Sequence, residues 1–475
     1  MQVPTAVVVL AAGEGTRMRS ATPKVLHTLG GRSMLGHVLA AADVVQATHT
    51  VVVVGHGAAE VVDHVRGLYP AALTAVHEQR QGSGHAAGVG LSAFAERSGF
   101  AVILNGDAPL LTAATVAGLV ATHRDSVAAL TVLTAEVADP TGLGRIVRNA
   151  DGQLLGIVEQ ADADAAQLAV REVNAGVYAV QLDLLEEALN RLSTDNSKGE
   201  QYLTDALGLL VADGRLVAAF RAADPEDTLG CNDRVELAAR RRTINERILT
   251  AWMRAGVTVV DPQTTWVDVQ VDLAADVTLL PGTTLTGRTT VAEGAVIGPE
   301  TMLTDCLVGV GAHVVRAHCT QAEIGQEATV GPYAFLRPGT RLGRGAKVGT
   351  FVEAKNATIG AGSKVPHLSY VGDATIGEGS NIGAATVFVN YDGVDKHTTT
   401  IGNHVRTGAD NMFVAPVTIG DGAYTAAGSV ITDDVPPGAM GVARARQRNI
   451  TDWVRRRSPG TAAAQAAQRA QGDSL

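Results

Sequence analysis

Cysteine is scarce in this sequence. The three that occur, Cys231, Cys306 and Cys319, fall at spacings that suit neither a metal site nor a paired disulfide framework. They read as reduced thiols. Basic residues are in the minority: 38 Lys and Arg against 48 Asp and Glu leave a formal net charge of −10. That balance argues against nucleic acid as the main partner. No apolar run is long enough to span a bilayer. The first residues enter an apolar strand without a basic segment or a long apolar core, so no secretory signal is expected and a cytoplasmic location is. Aromatics make up only 4 % of a chain that is otherwise globular in composition, at 46 % hydrophobic.

What is abundant is glycine, with 53 residues, much of it in a six-residue period in the last third of the chain. Ile324-Gly325, Val330-Gly331, Leu336, Leu342-Gly343, Ile359-Gly360, Ile376-Gly377, Ile382-Gly383, Ile401-Gly402 and Ile419-Gly420 open successive units. A hexapeptide period is the signature of a parallel β-helix. The aliphatic residue points inward and stacks on its counterpart in the next coil, and the small fifth residue fits where the chain turns. The period reads as irregular up to about Glu323 and clear from there to about Ile431. Beyond Pro436 the chain is rich in Arg, Ala and Gln and reads as extended or frayed.

The first part differs. Short aliphatic runs at Ala6–Leu10, Val51–Val54, Ala101–Leu104 and Leu130–Leu133 alternate with amphipathic stretches such as Met34–Val44 and Thr115–His123. That pattern predicts buried parallel strands with crossover helices, a doubly wound, Rossmann-like α/β sheet. A charged helix near Asp233–Ala255 joins the halves. With 475 residues the chain exceeds one core. The expected domains are 1–234 (α/β), 235–255 (linker helix) and 256–475 (β-helix with a basic tail).

Two places carry chemistry. Leu10-Ala11-Ala12-Gly13-Glu14-Gly15-Thr16-Arg17 follows the first strand, where α/β sheets bind ligands, and glycines let backbone N–H groups approach a phosphate. Arg17 and Lys24 add cations. A lone Gly-x-Gly is as readily a plain turn, but here it sits in a longer string that includes Pro23-Lys24-Val25-Leu26-His27. On the hexads, Arg337, Lys355, His367, Tyr370, Asn381 and Asn390 are expected to share a surface, in a set suited to a phosphorylated sugar and to proton removal from an amine. Any one of them alone is as readily structural.

With those strings and the hexads together, the chain resembles the sugar-nucleotide pyrophosphorylases. Among these it is most similar to the bifunctional bacterial enzymes that combine N-acetylglucosamine-1-phosphate uridylyltransferase with glucosamine-1-phosphate N-acetyltransferase. The resemblance implies a left-handed β-helix and a UDP-N-acetylglucosamine product that feeds peptidoglycan and other envelope polysaccharides. It implies that Leu10, Ala11, Ala12, Gly13 and Lys24 hold the UTP phosphates, with Arg17 and Lys24 catalytic. Gly82 and Ser83 would lie near the uracil and ribose, and Gly144, Glu159 and Asn174 at the sugar. Asp107 and Asn232 would bind Mg²⁺, and Asn232 would also face the nucleotide.

In the second half the resemblance makes Arg337, Lys355, Tyr370 and Asn381 the glucosamine-1-phosphate site and His367 the general base. Ala384, Asn390, Tyr391, Ala409, Ala427 and Arg444 would line acetyl-CoA. The basic tail around Trp453 would clamp CoA from a neighbouring subunit of a homotrimer. The sequence departs from the family at His77 (usually Gln), Ser83 (usually Thr), Leu143 (often Tyr) and Ala409 (usually Ser). Two other readings stay open at this point. One keeps only the nucleotidyltransferase, with the β-helix as an oligomerising scaffold; the other is a non-enzymatic trimeric prism that binds a nucleotide.

Overall fold

The computed structural model describes residues 4–55, 57–79 and 81–472. The chain divides into two compact units, Met1–Thr290 with Met302–Asp305, and Val291–Thr301 with Cys306–Leu475.

In the first unit a mixed sheet runs in the spatial order Val217–Arg221, Leu130–Glu136, Glu172–Gln181, Phe100–Asn105, Pro4–Ala11, His49–Val54, Leu73–Val76. The expected aliphatic runs are its strands. Val8, Val9, Val51–Val54 and Ala101–Leu104 are fully buried, because helices such as Met34–Ala42 and Ser83–Leu91 cover both faces. One strand departs from the parallel expectation: Glu172–Gln181 lies antiparallel to both neighbours. It follows an antiparallel excursion, Arg145–Arg148 with Leu154–Val158, which returns the chain in the opposite sense. The first strand sits where the order of addition reverses. Leu10 stands level with Val53 on one side and Asn105 on the other, so the strand ends open together at the switch point.

The helix Arg234–Arg254 starts on Asp233, whose side chain accepts from the N–H groups of Val235 and Glu236. Midway along it Asn245, 5 % exposed, donates to the Thr265 carbonyl at 2.8 Å and accepts from Val267 N–H at 3.0 Å. The helix thereby holds an early short strand of the coil, Trp266–Val267.

The six-residue period begins earlier than the glycines suggest. Val267, Leu273, Leu279 and Leu285 recur every six residues and are all buried. The inward position keeps its period there; what is missing is the glycine that follows it, replaced by Asp268, Ala274, Leu280 and Thr286. In the second unit Ile324, Val330, Leu336, Leu342, Val348 and Ala354 continue as the inward set. Parallel pairing keeps equivalent positions level, as in Phe335 against Glu353 and Glu353 against Tyr370. The result is a left-handed parallel β-helix.

The tail corrects the expectation of an extended or frayed end. Met440–Gly441 pairs with Tyr424–Thr425, and two helices follow, Trp453–Arg457 and Ala462–Gly472. The alanine-rich composition of the last helix explains it, since alanine has the highest helix propensity. Among the described residues no helix is long and apolar enough to cross a membrane.

Replacing Asn245 with Leu orphans the Thr265 carbonyl and the Val267 N–H. The expected outcome is a loss of about 2 to 4 kcal/mol in the urea unfolding transition of the full-length protein. An unchanged midpoint refutes the staple.

Candidate functional site

In the first unit a cleft of 390 Å³ opens beyond the ends of the first strand and Phe100–Asn105, a size in the range of small-ligand sites. Leu10, Ala12, Gly13, Ser83 and Asp107 line it, and an adjoining recess holds Arg17, Lys24 and Asn232. A β-carbon at Gly13 would meet nothing within 4 Å, so packing in the protein does not demand glycine there. Its missing side chain keeps the backbone open to the cleft.

Three segments converge on one ammonium. Lys24, only 9 % exposed, pairs through Nζ with Asp107 Oδ2 and donates to Asn232 Oδ1 at 2.9 Å. Arg17 Nη2 donates to the same Asn232 oxygen at 3.0 Å. Asn232 is placed by the helix start: its N–H donates to Glu236 Oε2 at 2.7 Å, beside the Asp233 cap. Cys231 N–H donates to the Asp107 carbonyl at 2.9 Å and locks the two turns together. Asp107 and Asn232 thus aim oxygens at one point that already suits a cation. Two protein oxygens are few, which fits Mg²⁺ if phosphate oxygens and water complete its shell. Among the described residues no group of three or more His, Cys, Asp or Glu side chains forms a fuller metal site.

The expected sugar residues lie on the neighbouring excursion. Asn174 N–H donates to the Gly144 carbonyl at 2.9 Å, and Asn174 Nδ2 donates to the Tyr178 hydroxyl at 2.8 Å. Glu159 accepts from Thr204 Oγ1 at 3.3 Å. Burial pushes the Glu159 carboxyl up, with Asp205 and Asp162 adding to the rise against the hydrogen bond from Thr204 and the field of Lys198. Ser83 Oγ accepts from Leu203 N–H at 3.0 Å, so this hydroxyl is engaged within the protein. Thr204, Glu200 and His85 were missed in the sequence; their signal is only their placement after folding.

In the second unit the register builds two columns. At one corner of the coil the N–H of Leu368 donates to Thr350, Ala385 to His367, Asp410 to Ala384 and Gly428 to Ala409. His367, Ala384, Ala409 and Ala427 therefore stack on one edge, coil upon coil, with the Arg444 stem beside Gly428. His367 is exposed, and Ser369 Oγ donates to its carbonyl at 2.7 Å.

The second column lies across the next face. Arg337 N–H donates to the Ala354 carbonyl, and Lys355 stands level with Gly372. A β-carbon at Gly372 would lie 2.4 Å from the Tyr370 hydroxyl, so only glycine lets this ring lie across the face. Arg337 Nη1 donates to Glu353 Oε1 at 2.9 Å. Asn390 is buried and donates to Asp373. Burial pushes the Asp373 carboxyl up, but hydrogen bonds from Asn356 and Asn390 and the fields of Lys355 and Lys396 outweigh it and hold it below the usual value. Lys396, missed in the sequence, lies against Lys355, and the contact between the two ammonium groups holds Lys396 below the ordinary lysine range. The Asp373 carboxylate opposes that effect and is the anion near both lysines. The available signal was a cation inside the loop where the period fails.

The structure does not bring every expected residue to one surface. Asn381 pairs with Lys364 and Arg406, on the face before the corner, while Tyr370 and Lys355 lie on the face after it. Tyr391 is exposed and donates to the Gly393 carbonyl at 2.7 Å.

Comparison with known proteins gives the same division. A family described as "MobA-like NTP transferase domain" matches residues 7–175, and "Bacterial transferase hexapeptide (six repeats)" matches residues 398–433. A Streptomyces coelicolor protein named "Bifunctional protein GlmU" is 59 % identical over 98 % of this chain and 97 % of its own length. Proteins of the same name from Kineococcus radiotolerans and Corynebacterium efficiens are 57 % and 53 % identical, covering 99 % and 98 % of this chain and 96 % and 97 % of their own.

The raised Glu159 value gives a pH prediction. Above that value the ionised carboxylate costs the folded state; below about pH 4.3, the unfolded value, both states are protonated and the cost disappears. Glu159→Gln is therefore expected to raise the urea midpoint at pH 8, with the gain shrinking as pH falls toward 4. A gain that grows on acidification contradicts this.

Proposed function

The chain belongs to the family of bifunctional GlmU proteins, and from that premise we propose how its two sites divide the work. It is a bifunctional enzyme of UDP-N-acetylglucosamine synthesis, with an acetyltransferase and a uridylyltransferase activity. The observation that carries the division is the separation of the two charged constellations, Lys24–Asp107–Asn232 in one compact unit and Arg337–Lys355–Lys396 in the other. By function the chain divides at 1–234, 235–255 and 256–475.

At the first site the backbone of Leu10–Gly13 and the cations Arg17 and Lys24 take the phosphates of UTP. Gly82 and Ser83 border its base and ribose, and Gly144, Glu159 and Asn174 orient the sugar of N-acetylglucosamine-1-phosphate. Asp107 and Asn232 would hold Mg²⁺, which supplies charge neutralisation on the triphosphate when bound. The sugar-phosphate oxygen attacks the α-phosphorus in line, and pyrophosphate leaves. Arg17 and Lys24 act through position and charge rather than by covalent chemistry.

At the second site Arg337, Lys355 and Lys396 grip the phosphate of glucosamine-1-phosphate, with Tyr370 on the sugar. His367 takes a proton from the amine, the amine nitrogen bonds to the acetyl carbon, and the C–S bond breaks to release CoA. The edge formed by Ala384, Ala409 and Ala427 gives acetyl-CoA a smooth backbone track that ends at Arg444, with Asn390 and Tyr391 beside it. Asn381 sits on the far side of the corner, which supports a site completed by a neighbouring subunit of a homotrimer. The paired lysines disfavour a β-helix that serves only as scaffold.

His367→Ala is expected to lower acetyl transfer by about a hundredfold or more while UTP-dependent turnover persists, and Asp107→Ala to do the reverse. Separate assays on glucosamine-1-phosphate and N-acetylglucosamine-1-phosphate check this; equal loss of both activities in either variant refutes the division. Ala409→Ser restores a hydroxyl on the CoA track, and the expected result is a KM for acetyl-CoA lowered about threefold or more, the worth of one modest hydrogen bond. No change shows that the backbone alone carries the contact.

A further inference from the structure

One pair of side chains in the nucleotide cleft is not used by the phosphate or sugar contacts. His77 lines the cleft beside Gly82 and Ser83, and its backbone N–H donates to the Val54 carbonyl at 2.7 Å, which fixes its backbone to the sheet. Its Nε2 lies 2.8 Å from Nδ1 of His85, and the two rings lie 4.9 Å apart. His85 stands in the first turn of the helix Ser83–Leu91.

Two facing ring nitrogens at that distance must share one proton. When the pair is neutral, the proton belongs to one ring or the other. If His77 donates, its remaining Nδ1 is an acceptor; if His85 donates, that Nδ1 carries hydrogen and is a donor. When the pair gains a proton, Nδ1 of His77 is a donor only. A glutamine offers donor and acceptor together and cannot be switched in this way.

We propose that His77 and His85 act as one proton-sharing unit that reads the base of the nucleoside triphosphate, with His85 the positioning residue that sets the tautomer of His77. This rests on the assignment of the cleft to UTP. Uracil presents an N–H flanked by carbonyls, whereas cytosine presents a bare ring nitrogen. The neutral pair can satisfy either edge of uracil; the protonated pair favours the bare acceptor. Burial and, after it, the neighbouring ring hold His77 below the usual histidine value, which disfavours an extra proton on His77 at neutral pH. The other ionisable groups lining the cleft are Glu14, Asp107 and Glu200, and Glu78 follows His77 in the chain.

The test compares kcat/KM for UTP and for CTP, with N-acetylglucosamine-1-phosphate saturating, in the full-length enzyme between about pH 5.5 and 7.5. In the wild type the preference for UTP is expected to narrow as pH falls. In His77→Gln it stays flat, although the substrates titrate identically. His85→Phe raises the KM for UTP about five- to tenfold at pH 7.5, and His85→Asn, which restores a polar partner, returns it to within about twofold. A flat wild-type ratio, or the same slope in His77→Gln, overturns the inference. Wild-type kinetics for UTP in Lys24→Met would instead overturn the assignment of the cleft.

Discussion

Parallel pairing in register is the constraint on which both sites depend. A parallel ladder keeps equivalent positions level, so residues distant in the chain arrive together without any side chain having to steer them. In the first unit it brings the ends of three strands to one height, with Leu10 between Val53 and Asn105. In the second it does the same along an axis, and single positions become columns. His367, Ala384, Ala409 and Ala427 share an edge because each coil donates a hydrogen bond to the one before it. A slip of one residue in the coil's ladder would turn its outward charged groups inward and its aliphatic groups out.

The two sites then handle charge in opposite ways. Lys24 is buried and already paired, held by Asp107 and Asn232 from two separate turns. Burying a cation is tolerable only with such partners. The arrangement keeps the recess ordered before a polyanion enters. On the β-helix face, Lys355 and Lys396 confront each other instead, with Asp373 held by two amides close by. Asp373 lies in the field of both lysines, so its carboxylate offsets part of their repulsion. The first site holds its cation in direct pairs, while the second sets two lysines side by side with one carboxylate near both.

Much of this was legible in the sequence where the signal is local. The strand runs stood out because both faces of the sheet are covered. The Leu10–Gly13 turn was visible because it follows the first strand directly; Asp107 rested on family likeness, and its place just past the strand Phe100–Asn105 explains it. Asn232 was not readable from spacing; family likeness pointed to it, and the helix cap explains its position. Lys396 and His85 escaped because nothing in their neighbourhoods marks them; folding alone gives them partners. The early hexads read as irregular because they lack the glycine after the aliphatic residue, while the inward position, Val267 to Leu285, keeps the period. The tail helices were not legible because the segment from Pro436 lacks an apolar stripe to mark a packed helix, although Ala462–Gly472 is rich in alanine, a strong helix former. Family likeness groups Asn381 with Tyr370, but a corner of the coil lies between them within one chain.

Product analysis by mass spectrometry tests the central claim most directly, that each unit of this one chain holds its own reaction. The purified enzyme is given glucosamine-1-phosphate, acetyl-CoA, UTP and Mg²⁺, with one component withheld at a time. The account predicts UDP-N-acetylglucosamine from the full mixture, arrest at N-acetylglucosamine-1-phosphate without UTP, and unchanged glucosamine-1-phosphate without acetyl-CoA. Failure to acetylate when only UTP is withheld, or formation of UDP-N-acetylglucosamine without acetyl-CoA, would contradict it.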